Sequence, residues 1–568
     1  MRHRTVHPSP LSFTRIWQGH RISLAFLITL LAALGLPVSI VQAATITVTT
    51  TEDEVKKDGD CSLREAIIAA NQNQTFDDCA AGNGKDTINV PPGTYLLTIA
   101  STGNNGALTG DLDLIEDIIV KGAGRTKTII NGGGLERVFD LAVNVSVAVS
   151  ELTVTNGGTF TDPGGAFYVG EGATLSLQNS SLTNNKGSNG GAIFIDNDGT
   201  AELTNSWVND NQADTRGGGI YVDSNATLTL TGSQVNHNTV TNDDGGGISV
   251  NRSKQVTVTH SQVNGNAANS WGGGIFNIGG VLTIMNSQMK ENTTETAGGG
   301  ALHTSGSGNT AMISHSQIIS NTGPNGGGIY SERGALELVN NQISHNTAAY
   351  GGGLYSLEAT LLLINSTISG NESVVDGGGI YLDLDNEVDF YNVTITDNTA
   401  DSDSDEDGQG GGIFFYEPTE ALTATHTIIG ANVDRSPSSK QPDCSGSVTS
   451  AGYNLIQNTT GCVISGDLAT TLIGVSPNLG PLQNNGGDTL THALLAGSPA
   501  IDAGNPAGCT DHAGLPLTTD QRGFARPVDG DGNGSVICDM GAYEFASDSP
   551  PDPEPADDYG VYLPIIHK

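Results

Sequence analysis

Residues 217–238 read GGGIYVDSNATLTLTGSQVNHN and contain every part of a unit that recurs along most of the chain. Glycines open the unit, an alternating run follows at 226–230, and Asn238 ends it. The last glycine of each copy stands at positions 165, 191, 219, 247, 274, 300, 328, 353, 379 and 412, in steps of 25 to 33 residues. Ten copies in phase indicate one structural unit per copy.

The length of the unit selects the fold. Runs such as 226–230 and 255–259 alternate apolar and polar residues, which is typical of strands. About 27 residues suffice for three short strands and three turns. The sequence therefore predicts an all-β, right-handed parallel β-helix, a solenoid whose coils stack about 4.8 Å apart. Leucine-rich repeats fit less well because no unit has a helical segment, and propeller blades need about 40 residues.

Two residue types mark the turns of each coil. The glycines are expected where no side chain fits, and a phosphate-binding loop is the weaker interpretation because such a loop occurs once and opens a helix. The recurrent asparagine is expected to bond to backbone and to its equivalents above and below. This predicted ladder consists of Asn185, Asn211, Asn238, Asn266, Asn292, Asn321, Asn346, Asn371, Asn398 and Asn432.

The charge of the chain limits its partners. Four arginines and no acids lie in the first 43 residues, so the remainder carries 19 basic and 61 acidic side chains, a net charge of −42. A nucleic-acid partner is excluded because phosphate binding needs a basic surface. Acidic polysaccharides and anionic membranes are repelled unless a divalent cation bridges them.

The first residues are typical of an export signal. The apolar run from Leu24 to Leu36 follows the arginines, and Val41, Gln42 and Ala43 form a cleavage site. A membrane anchor is the alternative, although the run is shorter than the roughly 20 residues that a bilayer requires. We expect a signal peptide at 1–43, a cap with the first coil at 44–105, repeats at 106–435, a C-terminal region at 436–546, and a Pro/Asp linker with an apolar tail at 547–568.

The six cysteines lie outside the repeats and are close in sequence as three couples. Sequence alone permits 15 connectivities, but local closure needs little rearrangement of the chain. We expect the disulfides to stabilise the two ends of the coil stack. The predicted pairs are Cys61 with Cys79, Cys444 with Cys462, and Cys509 with Cys538.

Ser62 and Glu65 have the spacing of a capping box, and apolar residues follow at helical spacing. The sequence therefore predicts an amphipathic helix from Ser62 to about Asn71. Such a helix would cover the open end of the stack and protect a sheet edge that otherwise pairs with other chains.

Three sets of motifs resemble known exported families. Gly190-Gly191-Ala192-Ile193 resembles the GGAI repeat of polymorphic outer-membrane proteins, and Cys61-Ser62-Leu63-Arg64-Glu65-Ala66 is the motif of CSLREA-domain proteins. The C-terminal region resembles the choice-of-anchor Q region at Asp443-Cys444, Gly452–Leu455, Ser498–Asp502, Asp520–Gly523 and Cys538–Glu544. The resemblance implies a secreted or surface protein with a pectate-lyase-like β-helix.

Catalytic residues are not evident from the sequence, and none is assigned. Related-looking β-helices include polysaccharide lyases and hydrolases, which need clustered acids with a base or a cation. Asp243 and Asp244 are a possible acid pair, whereas a solvated turn beside Gly245 is the simpler interpretation. The 33-residue step contains an acidic insertion from Asp401 to Asp407, which favours calcium binding or solvation over catalysis.

No cofactor is certain, but one loop resembles a calcium-binding sequence. Acids or amides at the first, third and fifth positions, with glycine at the sixth, are typical of an oxygen-rich calcium loop. Here Met540 occupies the twelfth position, where an acid is expected. An acidic turn is the alternative, and the proposed calcium ligands are Asp529, Asp531, Asn533 and Asp539.

These features favour an exported, monomeric, non-catalytic protein that binds a surface polysaccharide or cell-envelope component. Ten similar coils offer ten similar contacts, which suits a repetitive ligand. The alternative is a polysaccharide lyase or glycoside hydrolase that acts in a groove beside the coils.

Overall fold

The computed structural model describes residues 43–547 apart from 104–105, 406–407, 418–420 and 439. The predicted signal peptide, except Ala43, and the predicted tail from residue 548 lie outside the described residues. Within the described part of the chain, no helix has the length and apolar character needed to cross a membrane.

The chain winds into a parallel β-helix, as predicted, with three main strands in most coils. Equivalent residues of successive coils pair directly: Ile220 pairs with Ile248, which pairs with Ile275. We number the faces in the order in which a coil forms them after its glycine turn.

Face 1 begins each coil. Its strands are Leu112–Leu114, Phe139–Leu141, Phe167–Val169, Ile193–Ile195, Ile220–Val222, Ile248–Asn251, Ile275–Ile278, Leu302–Ser305, Ile329–Glu332, Leu354–Leu357, Ile380–Leu382 and Ile413–Phe415. The strand Cys444–Ser450 continues both face 1 and face 2.

Face 2 follows and has the alternating runs seen in the sequence. Its strands are Thr45–Thr47, Asp86–Asn89, Ile118–Lys121, Ser146–Ser150, Thr174–Gln178, Thr200–Thr204, Thr227–Thr231, Gln255–Thr259, Val281–Met285, Thr310–Ser314, Ala335–Val339, Thr360–Ile364, Glu387–Tyr391, Ala421–Thr425 and Cys462–Gly466.

Face 3 completes the coil. Its strands are Gly93–Leu96, Thr128–Asn131, Thr153–Thr155, Ser181–Thr183, Trp207–Asn209, Gln234–Asn236, Gln262–Asn264, Gln288–Lys290, Gln317–Ile319, Gln342–Ser344, Thr367–Ser369, Thr394–Thr396, Ile428–Ile429, Leu455–Ile456 and Leu472–Ile473. Coil pairing thus continues to residue 473, beyond the last recognisable repeat.

Short strands lead from face 3 back to the glycine turns. They are Lys186–Asn189, Gln212–Arg216, Thr239–Val240, Ala267–Ala268, Thr293–Thr294, Thr347–Ala348, Glu372–Ser373, Thr399–Ala400 and Val433–Asp434. Outside the stack, Leu479–Gln483 and Thr491–Leu494 form an antiparallel pair.

Apolar columns fill the interior of the stack. In Thr227–Thr231 the two leucines are fully buried and the threonines between them point outward. Because successive strands keep this register, leucine, valine and isoleucine stack on one another along the core. Burial of each such side chain contributes about 1.5–3 kcal/mol.

The glycine turns leave no room for a side chain. At Gly218, a Cβ atom would lie 2.2 Å from the carbonyl oxygen of Gly246 in the next coil. The preceding Gly217 has φ of +64°, which L-residues with side chains rarely adopt. The glycines therefore allow close stacking, and their repetition gives no sign of phosphate binding.

The asparagines form a buried ladder at the turn after face 3. The Asn292 side-chain oxygen accepts bonds from the backbone N–H and the amide of Asn266, both at 3.0 Å. Its own amide donates to Asn321 Oδ1 at 2.9 Å and to Val263 O at 2.8 Å. The pattern extends from Asn185 to Asn432, whose amide donates to Asp443 Oδ1.

A second ladder, missed in the sequence, lies between faces 2 and 3. The backbone N–H of Ser206 donates to Ser233 Oγ, and that of Ser233 donates to Ser261 Oγ. In the equivalent position Asn341 accepts the bond from Ser316. Side chains thus satisfy buried N–H groups that strand pairing leaves unpaired.

The predicted helix is confirmed and spans Leu63–Gln72. Ser62 caps it, and the Glu65 side chain accepts the Ser62 backbone N–H at 3.0 Å, which completes the capping box. The fully buried Arg64 pairs with Asp53 at 2.7 Å and donates to the carbonyls of Ala107 and Gly110. The motif around Cys61 therefore fastens the helix to the first coils.

The three expected cysteine pairs are joined, with Cα atoms 5.0, 5.3 and 6.1 Å apart. The third pair does not lie at an end of the stack, contrary to expectation. Asn392, at the turn before face 3, donates to Cys509 Sγ at 3.3 Å. Residues 478–546 instead form an arm that lies along face 3 from Gln317 to His426.

We predict that replacing Asn292 with alanine destabilises the fold by about 4 kcal/mol, because four buried hydrogen bonds are lost at about 1 kcal/mol each. Chemical denaturation measures the change in midpoint. The matched control is Asn242→Ala, which removes an exposed bond to Asp214 and should change stability by less than about 0.5 kcal/mol. Equal effects of the two substitutions would contradict the ladder's structural role.

Peptide mapping of the unreduced protein should recover only the pairs Cys61/Cys79, Cys444/Cys462 and Cys509/Cys538. The coil stack separates the first pair from the other two by more coils than a disulfide can span. A peptide that links Cys61 to a C-terminal cysteine would contradict the stacking order.

Candidate functional site

An aromatic column runs along the outer side of face 1. In most coils an aromatic residue occupies the second position of the face 1 strand, and direct strand pairing aligns these positions. The column consists of Tyr168, Phe194, Tyr221, Ser249, Phe276, His303, Tyr330, Tyr355, Tyr381 and Phe414.

The rings stack on one another at the spacing of the coils. Centroid distances are 5.3 Å for Tyr168 and Phe194, 5.0 Å for Phe194 and Tyr221, and 4.7 Å for Tyr355 and Tyr381. Stacked aromatic pairs contribute about 0.5–1.5 kcal/mol beyond area burial. Stacking covers the ring faces, and most of the rings are buried, whereas Tyr168, Phe194, Tyr355 and Phe414 are half-buried.

Acidic side chains lie beside several of the hydroxyls. Tyr168 donates to Asp196 Oδ2 at 2.5 Å, and Tyr355 donates to Asp383. Burial, followed by the bond to Asp196, raises the pKa of Tyr168 above its ordinary value. Tyr168 therefore stays neutral at physiological pH, so the edge of the column offers hydroxyl groups paired with carboxylates.

His303 belongs to the aromatic stack and carries no charge. Its ring lies 5.0 Å from that of Tyr330, and Trp271 packs against both. Burial lowers the pKa of His303 to about 3. A neutral imidazole packs in the column as another planar ring.

The column is interrupted at Ser249, and a charged cluster lies beside the gap. Arg216 Nε is 3.0 Å from Asp243 Oδ2 and 4.0 Å from Asp244 Oδ2. Asp244 is 4% exposed and accepts the Trp271 N–H at 3.1 Å. The interpretation of this pair as a solvated turn is therefore wrong for Asp244, because the next coil covers it.

The same cluster contains an acid that titrates near neutrality. Burial, with a further contribution from Asp243, raises the pKa of Asp244 to about 7. Tyr221 also neighbours Arg216 and Asn251, and burial raises its pKa. An acid, a cation and a phenol thus converge in one cluster.

Toward the N-terminus, acidic residues occupy the positions that align with the column. Tyr168 pairs with Asp140, which pairs with Asp113. Arg137 Nε lies 3.1 Å from Asp111 Oδ2, and its guanidinium lies 5.0 Å from the centre of the Tyr168 ring. Burial raises the pKa of Asp111 to about 7 and that of Asp140 to about 6.

The four proposed calcium ligands occupy two different environments. Asp529, Asp531 and Asn533 lie in an exposed loop, where each accepts a bond from a backbone N–H of the same loop. Asp539 is buried and accepts the N–H groups of Asp502 and Phe545. Burial raises the pKa of Asp539 to about 8, and calcium binding at this loop stays a prediction.

The other C-terminal motifs form a buried polar network. Arg526 Nε lies 2.8 Å from Glu544 Oε2, and its guanidinium also donates to Asn365 Oδ1 on the stack. Arg522 pairs with Asp520, and its guanidinium lies 3.6 Å from the centre of the Tyr543 ring. These contacts hold the arm together and dock it on face 3.

Arg216, Tyr221, Trp271 and the aromatic column were not predicted from the sequence. A signal existed, because the second residue after the glycine turn is aromatic in most copies. The cluster had no such signal. Its members come from consecutive coils about 27 residues apart and meet only because the coils stack.

Three solved structures are similar to this chain over part of its length. The A-modules of the Azotobacter vinelandii mannuronan C-5 epimerases AlgE6 and AlgE4 have 13% and 12% identity and TM-scores of 0.35 and 0.30, and each comparison covers 69% of this chain, with 91% and 90% of theirs. The catalytic unit of a GH87 α-1,3-glucanase from Streptomyces thermodiastaticus has 16% identity and a TM-score of 0.31, with 72% of each chain covered. No curated protein sequence matches this chain.

The family comparison agrees with the architecture. The model of the right handed beta helix region matches residues 141–318 and 279–467, which together form more than half of the chain. The matched segments contain the aromatic column from Tyr168 to Phe414, the asparagine ladder and the charged cluster. The chain therefore belongs to the right-handed β-helix family.

Proposed function

We propose that this chain is an exported, non-catalytic protein that binds a neutral surface polysaccharide along face 1. The aromatic column carries this proposal because its tyrosines place hydroxyl groups at a spacing set by the coils, and two of these hydroxyls bond to the carboxylates of Asp196 and Asp383. A polysaccharide repeats its own hydroxyl groups in the same way. Many weak, equivalent contacts then add up through multivalency.

Charge and compartment support the same proposal. The net charge of −42 outside the first 43 residues disfavours acidic glycans. Three disulfides are typical of oxidising compartments such as the exterior of the cell. The resemblance of Cys61–Ala66 and of the arm to CSLREA and choice-of-anchor Q regions also favours a secreted or surface location.

Removing hydroxyl groups from the column should weaken binding in steps. Tyr168→Phe and Tyr355→Phe change the two half-buried tyrosines of the column, and each removes one polar contact of about 1 kcal/mol, which is about a fivefold loss of affinity. Calorimetric titration with neutral and acidic polysaccharides measures the dissociation constants. The control is Tyr391→Phe, whose hydroxyl belongs to face 2.

The same titrations can contradict glycan binding along face 1. Affinity that is unchanged in the variant with both Tyr168→Phe and Tyr355→Phe, or lost equally with Tyr391→Phe, would place the glycan elsewhere. Affinity that rises with the length of the polysaccharide would support contact with several coils.

A second candidate function is polysaccharide cleavage at the cluster of Arg216, Tyr221, Asp243 and Asp244. The observation that favours it is the pKa of about 7 at Asp244, since proton transfer is most efficient near the working pH. Arg216 supplies a cation beside the acid pair.

Incubation of the protein with pectate, alginate and neutral glucans should yield no new chain ends, because Asp244 is almost fully covered. Product formation that varies around pH 7 and disappears in Asp244→Asn would replace the binding proposal with the enzymatic one. Asp214→Asn, at an exposed acid one coil earlier, is the matched control.

A further inference from the structure

The structure points to a second feature that glycan binding does not use, the insertion that begins at Asp401. It follows the short strand Thr399–Ala400 and precedes the glycine turn at Gly410. Oxygen atoms of Asp401, Asp403 and Asp405 all lie within 4.8 Å of one another. Three carboxylates at this separation repel one another unless a cation or protons neutralise them.

One of these carboxylates is buried without a full set of partners. Asp401 is 0% exposed. Its Oδ1 accepts the backbone N–H of Asp405 at 3.0 Å, but its Oδ2 has no hydrogen-bond partner. A buried carboxylate oxygen without a hydrogen-bond partner is unfavourable, and a bound cation would supply the missing interaction.

We propose that Asp401, Asp403 and Asp405 bind a calcium ion. Oxygens that bind one calcium ion at about 2.4 Å lie at most about 4.8 Å apart, which the three carboxylates satisfy. Calcium prefers carboxylate and carbonyl oxygens and tolerates irregular geometry. The buried Asp401 supplies the inner ligand, and the exposed Asp403 and Asp405 close the site from the solvent side.

The backbone holds the inner ligand in place. The Asp401 N–H donates to Val375 O of the preceding coil, and the Ser404 N–H donates to Asp401 O, both at 3.0 Å. At Gly408 a Cβ atom would lie 2.7 Å from the Asp401 backbone nitrogen, so the chain returns directly over Asp401. The position of the Asp401 carboxylate is thus fixed by the coil stack before any cation binds.

Calcium titration calorimetry on the chelator-treated full chain tests the site. We expect calcium binding by the natural protein and a loss of affinity of at least about tenfold at this site in Asp401→Asn and in Asp403→Asn, since affinity follows the number of charged ligands. The control is Asp385→Asn, which changes an exposed acid that has a positive φ. This substitution should leave calcium binding unchanged. An Asp529→Asn variant separates this site from the loop at 529–534.

The calcium titrations can either support or overturn the proposed site. Loss of one calcium site in Asp401→Asn and Asp403→Asn, with retention in Asp385→Asn and Asp529→Asn, supports the proposal. Absence of calcium binding by the natural chain, or full retention in Asp403→Asn, overturns it. If Asp401→Asn fails to fold, the exposed Asp403 variant alone decides, and polysaccharide binding is measured separately in the same preparations.

Discussion

The structure depends on register between coils. Each coil must bring equivalent backbone groups opposite those of the next, because an unpaired N–H or carbonyl in the interior costs about as much as a lost hydrogen bond. On the faces, parallel strands meet this demand. At the turns they do not, and there the chain uses glycines that permit close approach and the Asn and Ser ladders that supply side-chain acceptors.

Register aligns equivalent residues on the outer side of the stack as well as in its interior. Inside, it aligns leucine on leucine and asparagine on asparagine. Outside, it aligns the second residue of each face 1 strand, so that aromatic rings stack at 4.7–5.3 Å from Tyr168 to Tyr221 and from Phe276 to Phe414. A change in one coil then creates a distinct environment, as Ser249 does beside Arg216 and Asp244.

The open end and the side of the stack need different protection. The helix Leu63–Gln72 covers the first coils, and the ion pair of Arg64 with Asp53 fixes it there. The arm lies along face 3. Within the arm Arg526 pairs with Glu544, and the Arg526 guanidinium also donates to Asn365 on the stack. The arm covers only the part of face 3 from Gln317 to His426, and face 1 is the side on which we propose that an extended ligand binds.

The sequence by itself determined the coil length, the strand periodicity, the asparagine positions, the capping box and the local cysteine pairs, because each of these is a pattern among residues that are near in sequence or repeat at a fixed step. Only the tertiary structure decided that Asp244 is buried, that Arg216 reaches it from the preceding coil, that the arm returns along face 3, and that Asp401 is fully covered. These features depend on which residues of different coils meet. Stacking and the path of the arm set those contacts, and a repeat pattern read along one chain contains neither.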